Sequence, residues 1–311
     1  MYAHSLVDPF SQASTHLGAA FAALPAGWQL VFAALFGLAI GSFLNVVVHR
    51  LPIMLERAWR AEVNEANDAG DMSDASERPA VDDGMPARYN LWAPGSGCPQ
   101  CGHALRAWEN IPVLSYLLLR GRCSACRAPI GLRYPLIELA SAAFAALSLF
   151  TFGPTGTALA AFVLCATLLA TSAIDIDTRL LPDSLTQPLL WAGLIVNFGD
   201  TFVSLRTAVA GAIAGYVFLW CIYWLFRLVR GIEGMGYGDF KLLAALGAWL
   251  GWTALPQIVL ISAVTGALVG LAATGFGRMR FEEPLPFGPF LAAGGVLTLF
   301  FGTPLFHVFG G

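Results

Sequence analysis

Long apolar runs constrain this chain more than any other feature of its sequence. Of its 311 residues, 57% are hydrophobic and only 12% are charged, which is roughly half the charged fraction of an average soluble domain. The apolar residues form continuous runs, many of them long enough to cross a hydrocarbon core of about 30 Å, rather than the alternating pattern of a half-buried strand. The sequence therefore predicts an all-α polytopic membrane protein embedded in a lipid bilayer.

Eight apolar segments are the predicted transmembrane helices. They lie near residues 28–48, 134–152, 157–174, 186–203, 207–227, 240–252, 255–275 and 287–308. The segment 240–252 is unusually short, because a helix of that length covers only about 20 Å. We interpret it as a true span that begins below the membrane surface, since a re-entrant turn there would place Arg278 and Arg280 outside.

Basic residues set the predicted orientation. Residues 1–27 contain none, whereas residues 49–133 contain ten arginines. Because cytosolic loops carry an excess of Lys and Arg, we expect 49–133 in the cytosol and 1–27 as an extracytoplasmic tail before the first helix, 28–48. Residues 134–311 then form a seven-helix domain. The net charge of −3 is too small to indicate a nucleic-acid partner.

The predicted cytosolic stretch has two parts. Residues 56–88 are rich in Glu, Asp, Ala and Ser and have no sustained apolar period, so we expect a solvated, partly disordered insertion. This insertion is either a solvated spacer between the first helix and the module, or an acidic surface that attracts a basic peptide. Residues 89–135 contain aromatics, paired cysteines and turn residues, and we expect them to form a compact module.

Four cysteines in this module have the spacing of a metal site. Cys98 and Cys101 form one C-x-x-C pair, and Cys123 and Cys126 form a second pair further along. Two such turns provide the four thiolates that bind tetrahedral Zn²⁺, whereas a pair of disulfides is disfavoured in the cytosol. Because four cysteine ligands leave no open position for a substrate or a water, the predicted zinc is structural.

Two aspartates lie where predicted spans meet the cytosol. Asp175 closes the third span, and Asp239 opens the sixth after a glycine-rich approach. Ionisable groups within apolar spans are costly and usually functional. Two facing carboxylates share a proton, so that one activates a water while the other donates to the oxyanion of a peptide carbonyl. Because such a pair titrates as a unit, either residue is open to either role.

The neighbouring segments have more than one interpretation. Asp183 follows Pro182 in the manner of a helix N-cap, which competes with a catalytic role. Asp177 either pairs with Arg179 or faces water. The proline-rich segment 284–289 either lines a substrate groove as extended backbone or forms the turn that starts the last helix.

The residues around both aspartates resemble the bacterial prepilin peptidase family. Residues 236–239, Gly-Tyr-Gly-Asp, are similar to the GxGD motif of intramembrane aspartic peptidases, and the flanking residues narrow the resemblance to this family. Residues 175–183 resemble the family's D-x6-P-D motif, whose leading Asp is catalytic, and this implies that role for Asp175. Further similar segments are 41–52, 89–91, 109–115 and 133–138.

The resemblance implies a function. Members of the family cut the short basic leader of type IV prepilins or type II secretion pseudopilins after a Gly, and many also methylate the new N-terminus with S-adenosylmethionine. It implies a membrane aspartic endopeptidase and N-methyltransferase of the bacterial inner membrane, with prepilins or pseudopilins as partners and an active site facing the cytosol. Because the sequence contains no glycine-rich nucleotide-binding turn, methylation rests on the resemblance.

Other function classes also fit the composition. A non-enzymatic scaffold would dock a partner on the zinc module but leaves both aspartates without a role. A transporter would use the aspartates as a proton relay. A peptidase of the presenilin or signal-peptide-peptidase type shares the chemistry but lacks the cysteine module.

Overall fold

Eight long helices carry the fold over the part of the chain that a computed structural model describes, which is residues 18–70, 86, 88–231, 236–276 and 285–303. They are α1 (Ala26–Gly70), α2 (Arg133–Phe152), α3 (Gly156–Thr178), α4 (Asp183–Val196), α5 (Leu205–Arg230), α6 (Tyr237–Leu250), α7 (Leu255–Gly275) and α8 (Gly288–Phe301). One helix lies at each predicted span, so the predicted all-α class is confirmed. Residues 1–17 of the expected N-terminal tail lie outside the described chain.

Five of the described helices, α1, α2, α3, α5 and α7, are long and apolar enough to cross a membrane. Helices α4, α6 and α8 have 14 residues each, which corresponds to about 21 Å of helix. Helix α6 packs against α4, α5 and α8. From Asp239 to Leu250 every residue of α6 except Lys241 is buried. The short helix at the predicted span 240–252 is thus enclosed by protein.

Helix α1 extends well beyond the predicted span 28–48. It runs for 45 residues and includes the first part of the stretch that we expected to be a partly disordered insertion. The cause is local, because residues 56–70 are rich in the strong helix formers Ala, Glu and Arg. Glu56 also pairs with Arg60 one turn later at 2.5 Å. Residues 71–85 of the insertion lie outside the described chain.

Two glycines bring α1 directly against α2. An added Cβ at Gly37 would lie 2.6 Å from the Cα of Ala142, and one at Gly41 would lie 2.6 Å from the Cα of Glu138. Glycines four residues apart are typical of closely packed membrane helices, where backbones meet without intervening side chains. These contacts fix the first half of α2 against α1. The cysteine module directly precedes α2 in the chain.

A second pair of glycines brings α5 against α6. An added Cβ at Gly215 would lie 2.6 Å from the carbonyl oxygen of Leu243, and one at Gly211 would overlap the backbone at Gly247. Helix α6 carries Asp239 in its first turn. The close approach therefore holds the helix that carries this aspartate by its backbone rather than by flexible side chains.

Buried polar side chains fix the far end of α6. The amide nitrogen of Asn197 donates to the carbonyl oxygens of Ala248 and Trp249, both at 2.9 Å. The indole nitrogen of Trp249 donates to the carbonyl oxygen of Leu189 on α4 at 2.8 Å. The two bonds from Asn197 satisfy carbonyls that the end of α6 would otherwise leave unpaired, and all three bonds set the position of α6 along its axis.

We expect Gly215→Ala to destabilise the fold, because the new methyl group would force α5 and α6 apart. Overpacking of this kind costs about 1–3 kcal/mol. Thermal unfolding of the purified protein in detergent measures the effect. The matched control is Gly156→Ala, since no atom lies within 4 Å of a Cβ added there. Equal unfolding temperatures for the two variants would contradict the proposed backbone contact.

Candidate active site and metal centre

Asp175 lies in the last turn of α3, and its side chain is buried. One carboxylate oxygen, Oδ2, accepts a hydrogen bond of 2.9 Å from the backbone N–H of Gly288. Gly288 is the first residue of α8, where backbone N–H groups lack partners within their own helix. A Cβ added at Gly288 would lie 2.7 Å from Oδ2 of Asp175. Only glycine therefore allows this N–H to reach the carboxylate without displacing it.

Asp239 lies in the first turn of α6 and is also buried. The backbone N–H of Asp239 donates to the carbonyl oxygen of Gly236 at 3.2 Å, which closes the turn before the helix. A Cβ added at Gly238 would lie 2.6 Å from the Cβ of Leu181. The missing side chain at Gly238 thus lets the segment that follows Asp175 rest directly on the start of α6.

The two predicted catalytic aspartates come together. Within the described residues, the buried carboxylates are Glu109, Glu138, Asp175 and Asp239. Leu181 touches both Gly238, which precedes Asp239, and Gly288, which hydrogen-bonds Asp175, so the two carboxylates lie on adjoining helix ends. Two neighbouring buried carboxyls do not ionise together easily, so one holds a proton while the other is charged. The pair can therefore supply a general base and a general acid at one place.

Asp183 pairs with a lysine, and its predicted role as an N-cap is wrong. It is the first residue of α4, whose N-cap is Pro182 without a side-chain hydrogen bond. Both carboxylate oxygens of Asp183 accept from Nζ of Lys241, at 2.6 and 2.7 Å. The aspartate therefore links α4 to the first turn of α6.

Asp177 also has a partner that the sequence did not indicate. It forms an ion pair with Arg133, the first residue of α2, rather than with Arg179. A second guanidinium nitrogen of Arg133 lies 3.5 Å from the carbonyl oxygen of Ala173. The start of α2 is thus tied to the end of α3, close to Asp175.

The proline-rich segment predicted near 284–289 leads into α8. Pro289 occupies the first turn of that helix, as expected of a turn that starts a helix. Leu285 lies against α7, where a Cβ added at Gly270 would be 3.0 Å from it. Pro284 lies outside the described residues. The alternative prediction, that the segment lines a substrate groove, remains a prediction.

The four predicted metal ligands form one cluster. The sulfur atoms of Cys98, Cys101, Cys123 and Cys126 all lie within 4.8 Å of one another. The sulfurs of Cys98 and Cys126 are 3.8 Å apart. A tetrahedral zinc with bonds of about 2.3 Å places its sulfurs about 3.8 Å apart. All four cysteines are free thiols, and their geometry fits a single metal ion.

The two halves of the cluster have the same backbone. In the first half, the N–H of Cys98 donates to the carbonyl oxygen of His103 at 2.9 Å. In the second half, the N–H of Cys123 donates to the carbonyl oxygen of Ala128 at 2.8 Å. Each turn then requires a left-handed residue. Gly102 takes this place in the first turn with φ of 70°, but Arg127, with φ of 59°, takes it in the second.

Backbone N–H groups prepare two of the thiols for metal binding. Hydrogen bonds from the N–H groups of Cys101 and Gln100 lower the pKa of Cys98 to about 7. The N–H of Cys126 makes the largest contribution to the lowered pKa of Cys123. Because the thiolate is the form that binds a metal, these N–H groups favour the metal-binding form of Cys98 and Cys123.

Buried charged residues anchor the cysteine module to the helices. Arg50 on α1 donates to the carbonyl oxygens of Asn90 and Gly95, at 2.9 and 3.4 Å. Glu138 on α2 accepts from the N–H of Val113 at 2.7 Å. Sequence analysis did not assign roles to these residues. Apart from Gly95, they lie in the segments 41–52, 89–91, 109–115 and 133–138, which resemble the family. That resemblance is the feature of the sequence that could have identified them.

Comparison with known proteins identifies two family matches. Residues 35–152 match the bacterial peptidase A24 N-terminal domain, and residues 162–271 match the type IV leader peptidase family. The prepilin leader peptidase/N-methyltransferase of Burkholderia pseudomallei is 71% identical over 293 residues, which cover 94% of this chain and 92% of the relative. Proteins of the same name from Aeromonas hydrophila and Pseudomonas aeruginosa are 52% and 51% identical, over 89% and 87% of this chain and 92% and 90% of theirs. No solved structure matches the chain.

We expect the purified protein to contain one metal ion per chain, and Cys98→Ser to lose it. Removing one of four thiolates leaves an incomplete tetrahedron. Elemental analysis by mass spectrometry gives the metal content. Cys221→Ser is the matched control, because Cys221 is a free cysteine on α5 outside the cluster. A metal content that falls in neither variant would mean that the cluster is not the metal site.

Proposed function

Because the chain belongs to the type IV leader peptidase family, we propose that Asp175 and Asp239 are the catalytic pair with which it cleaves prepilin leaders. As a member of this family, the chain is a multi-pass membrane enzyme with prepilin peptidase and N-methyltransferase activities. One observation carries the proposal. Two buried carboxylates lie on adjoining helix ends that both contact Leu181, and both lie within the match to the peptidase family.

The proposed chemistry divides acid and base between the two aspartates. The ionised member takes a proton from a water, whose oxygen attacks the carbonyl carbon of the scissile peptide. The protonated member donates to the oxygen of that carbonyl as charge develops on it. The C–N bond then breaks as the amine takes a proton from the first carboxyl, while the second carboxylate takes a proton back from a hydroxyl of the gem-diol. This leaves a carboxylic acid and an amine and restores the starting pair. Because the Gly288 N–H occupies Oδ2 of Asp175, we infer that Oδ1 faces the water.

An exposed glycine near Asp239 supports access of a substrate backbone. A Cβ added at Gly236 would meet no atom nearer than 4.0 Å, the distance to Oδ2 of Asp239. Without a Cβ, this position lets a peptide approach the carboxylate closely. The substrates that we propose are type IV prepilins or type II secretion pseudopilins, cut after the glycine that ends a short basic leader.

We place the active site on the cytosolic side of the bacterial inner membrane. Arg133 begins α2, Arg179 follows α3, and Lys241 lies in the first turn of α6. These basic residues therefore share the membrane face of the two aspartates. An excess of Lys and Arg marks the cytosolic face, and this charge distribution supports the proposed orientation.

We propose a structural Zn²⁺ in the four-cysteine cluster and S-adenosylmethionine as the methyl donor. The four thiolates would join the two turns of a module too small to have a large core of its own. With every ligand a cysteine, the metal has no open position for catalysis. S-adenosylmethionine would supply the methyl group for the new N-terminal amine, and the donor is inferred from the activity rather than from particular residues.

We expect Asp175→Asn and Asp239→Asn each to lower cleavage of a purified pilin precursor by about four orders of magnitude, because each removes one member of an interdependent pair. Mass spectrometry of the product detects loss of the leader. With S-adenosylmethionine present, the wild-type product gains the mass of one methyl group. Asp200→Asn is the matched control, since that exposed side chain only accepts from the N–H of Leu205.

Two outcomes would contradict the proposed function. Cleavage by both aspartate variants at the wild-type rate would exclude the aspartic mechanism. A wild-type protein that retains its metal but cuts no precursor would favour the scaffold or the transporter.

We expect Gly288→Ala to lower kcat by about 10- to 100-fold, because the new methyl group would displace the carboxylate of Asp175 from its working position. The cleavage assay measures kcat, and thermal unfolding shows whether the fold is intact. Gly275→Ala is the matched control, since nothing lies within 4 Å of a Cβ added there. Equal kcat values for the two variants would argue against a role for the Gly288 hydrogen bond.

A further inference from the structure

The chain contains a single lysine, Lys241, two residues after the catalytic Asp239. Its ammonium group forms an ion pair. It contacts both carboxylate oxygens of Asp183, at 2.6 and 2.7 Å, and the lysine side chain is only 24% exposed. The ion pair bridges two helices, because Asp183 is the first residue of α4 and Lys241 lies in the first turn of α6.

The connection between α3 and α4 begins at the other catalytic aspartate. Arg179 ends α3 in the left-handed conformation, with φ of 56°, and its N–H donates to the carbonyl oxygen of Asp175 at 2.8 Å. The chain then reaches Asp183 through residues 180–182. The position of Asp183 is therefore coupled to the backbone of Asp175 through the short connection 179–183.

Leu181, in the middle of this connection, lies between the two catalytic helix ends. A Cβ added at Gly238 would be 2.6 Å from the Cβ of Leu181, and one added at Gly288 would be 3.1 Å from its Cδ2. Leu181 thus contacts the residue beside Asp239 and the residue that hydrogen-bonds Asp175. Any movement of the connection away from α6 would change the distance between the two carboxylates.

We propose that the ion pair between Lys241 and Asp183 clamps residues 179–183 onto the start of α6 and so fixes the separation of Asp175 and Asp239. This inference rests on the proposed catalytic role of the two aspartates. Lys241 and Asp183 are then positioning residues, which act on the reaction only through the catalytic pair.

The clamp affects geometry more than stability. An ion pair between partly exposed side chains contributes little to the free energy of unfolding, and Asp183 is 60% exposed. Proton transfer, however, depends on sub-ångström placement, and a misplacement of about 1 Å lowers a rate by about 100-fold. Loss of the pair is therefore expected to change kcat while leaving the fold intact.

A competing role for Asp183 is to bind a basic residue of the substrate leader. In that role the carboxylate contributes to substrate binding, so its loss raises KM. In the clamp it contributes to the geometry of the catalytic pair, so its loss lowers kcat. The two roles therefore separate in steady-state kinetics.

The test uses the full chain in detergent with a pilin precursor as substrate. We expect Lys241→Ala and Asp183→Ala each to lower kcat by about 10- to 100-fold, with KM and the unfolding temperature unchanged. The double variant Lys241→Asp with Asp183→Lys restores the ion pair in reverse and is expected to recover most of kcat. Arg60→Ala is the matched control, because it removes the exposed ion pair with Glu56 and leaves the site untouched.

Three results would overturn the clamp. They are wild-type kcat in Lys241→Ala, an increase in KM alone in Asp183→Ala, and failure of the charge reversal to recover the activity lost in the single variants. If either single variant unfolds at a lower temperature, the kcat of the double variant decides whether the clamp exists. The double variant restores the attraction between positions 183 and 241 although neither position keeps its original residue.

The variants Asp175→Asn and Asp239→Asn, measured in the same assay, separate a failure of the clamp from a failure of the proposed catalytic pair. If they are inactive and the clamp variants are fully active, only the clamp is wrong. If they remain active, the proposed catalytic pair itself is wrong.

Discussion

Enclosure of helix α6 by protein is the constraint on which the rest of the structure depends. Every residue from Asp239 to Leu250 except Lys241 is buried, so lipid covers almost none of this helix. A helix that is apolar all round needs protein on every side, and the neighbours reach it by backbone contact at Gly211 and Gly215. Its first turn consequently places the carboxylate of Asp239 inside the protein, where charges interact more strongly than in water.

Local patterns predicted the helices, the four-cysteine cluster and the aspartate pair, because each has a signature within a short stretch of sequence. What the sequence did not predict depends on contacts between distant residues. The Lys241–Asp183 pair joins residues 58 apart, and the Gly288–Asp175 hydrogen bond joins residues 113 apart. The extension of α1 was missed for a different reason. Acidic, polar composition favours disorder, but Ala, Glu and Arg are also strong helix formers.

The cysteine module and the proposed catalytic pair are physically connected, although they lie in two separate family matches. The module is attached to the first part of α2, where Glu138 accepts a hydrogen bond from the N–H of Val113. The first residue of α2, Arg133, pairs with Asp177, which lies two residues after Asp175. A change at the four-cysteine cluster therefore has a short physical route to Asp175, through one helix end and one ion pair.

The single lysine gives the protein an unusual property in covalent chemistry. Among the 311 side chains, Lys241 carries the sole primary amine, and that amine is engaged by both oxygens of Asp183. Acylating reagents and amine-directed crosslinkers consequently have one side chain to modify. Because modification consumes the charge that Asp183 requires, the extent of labelling at this one position reports how often the pair opens in the membrane.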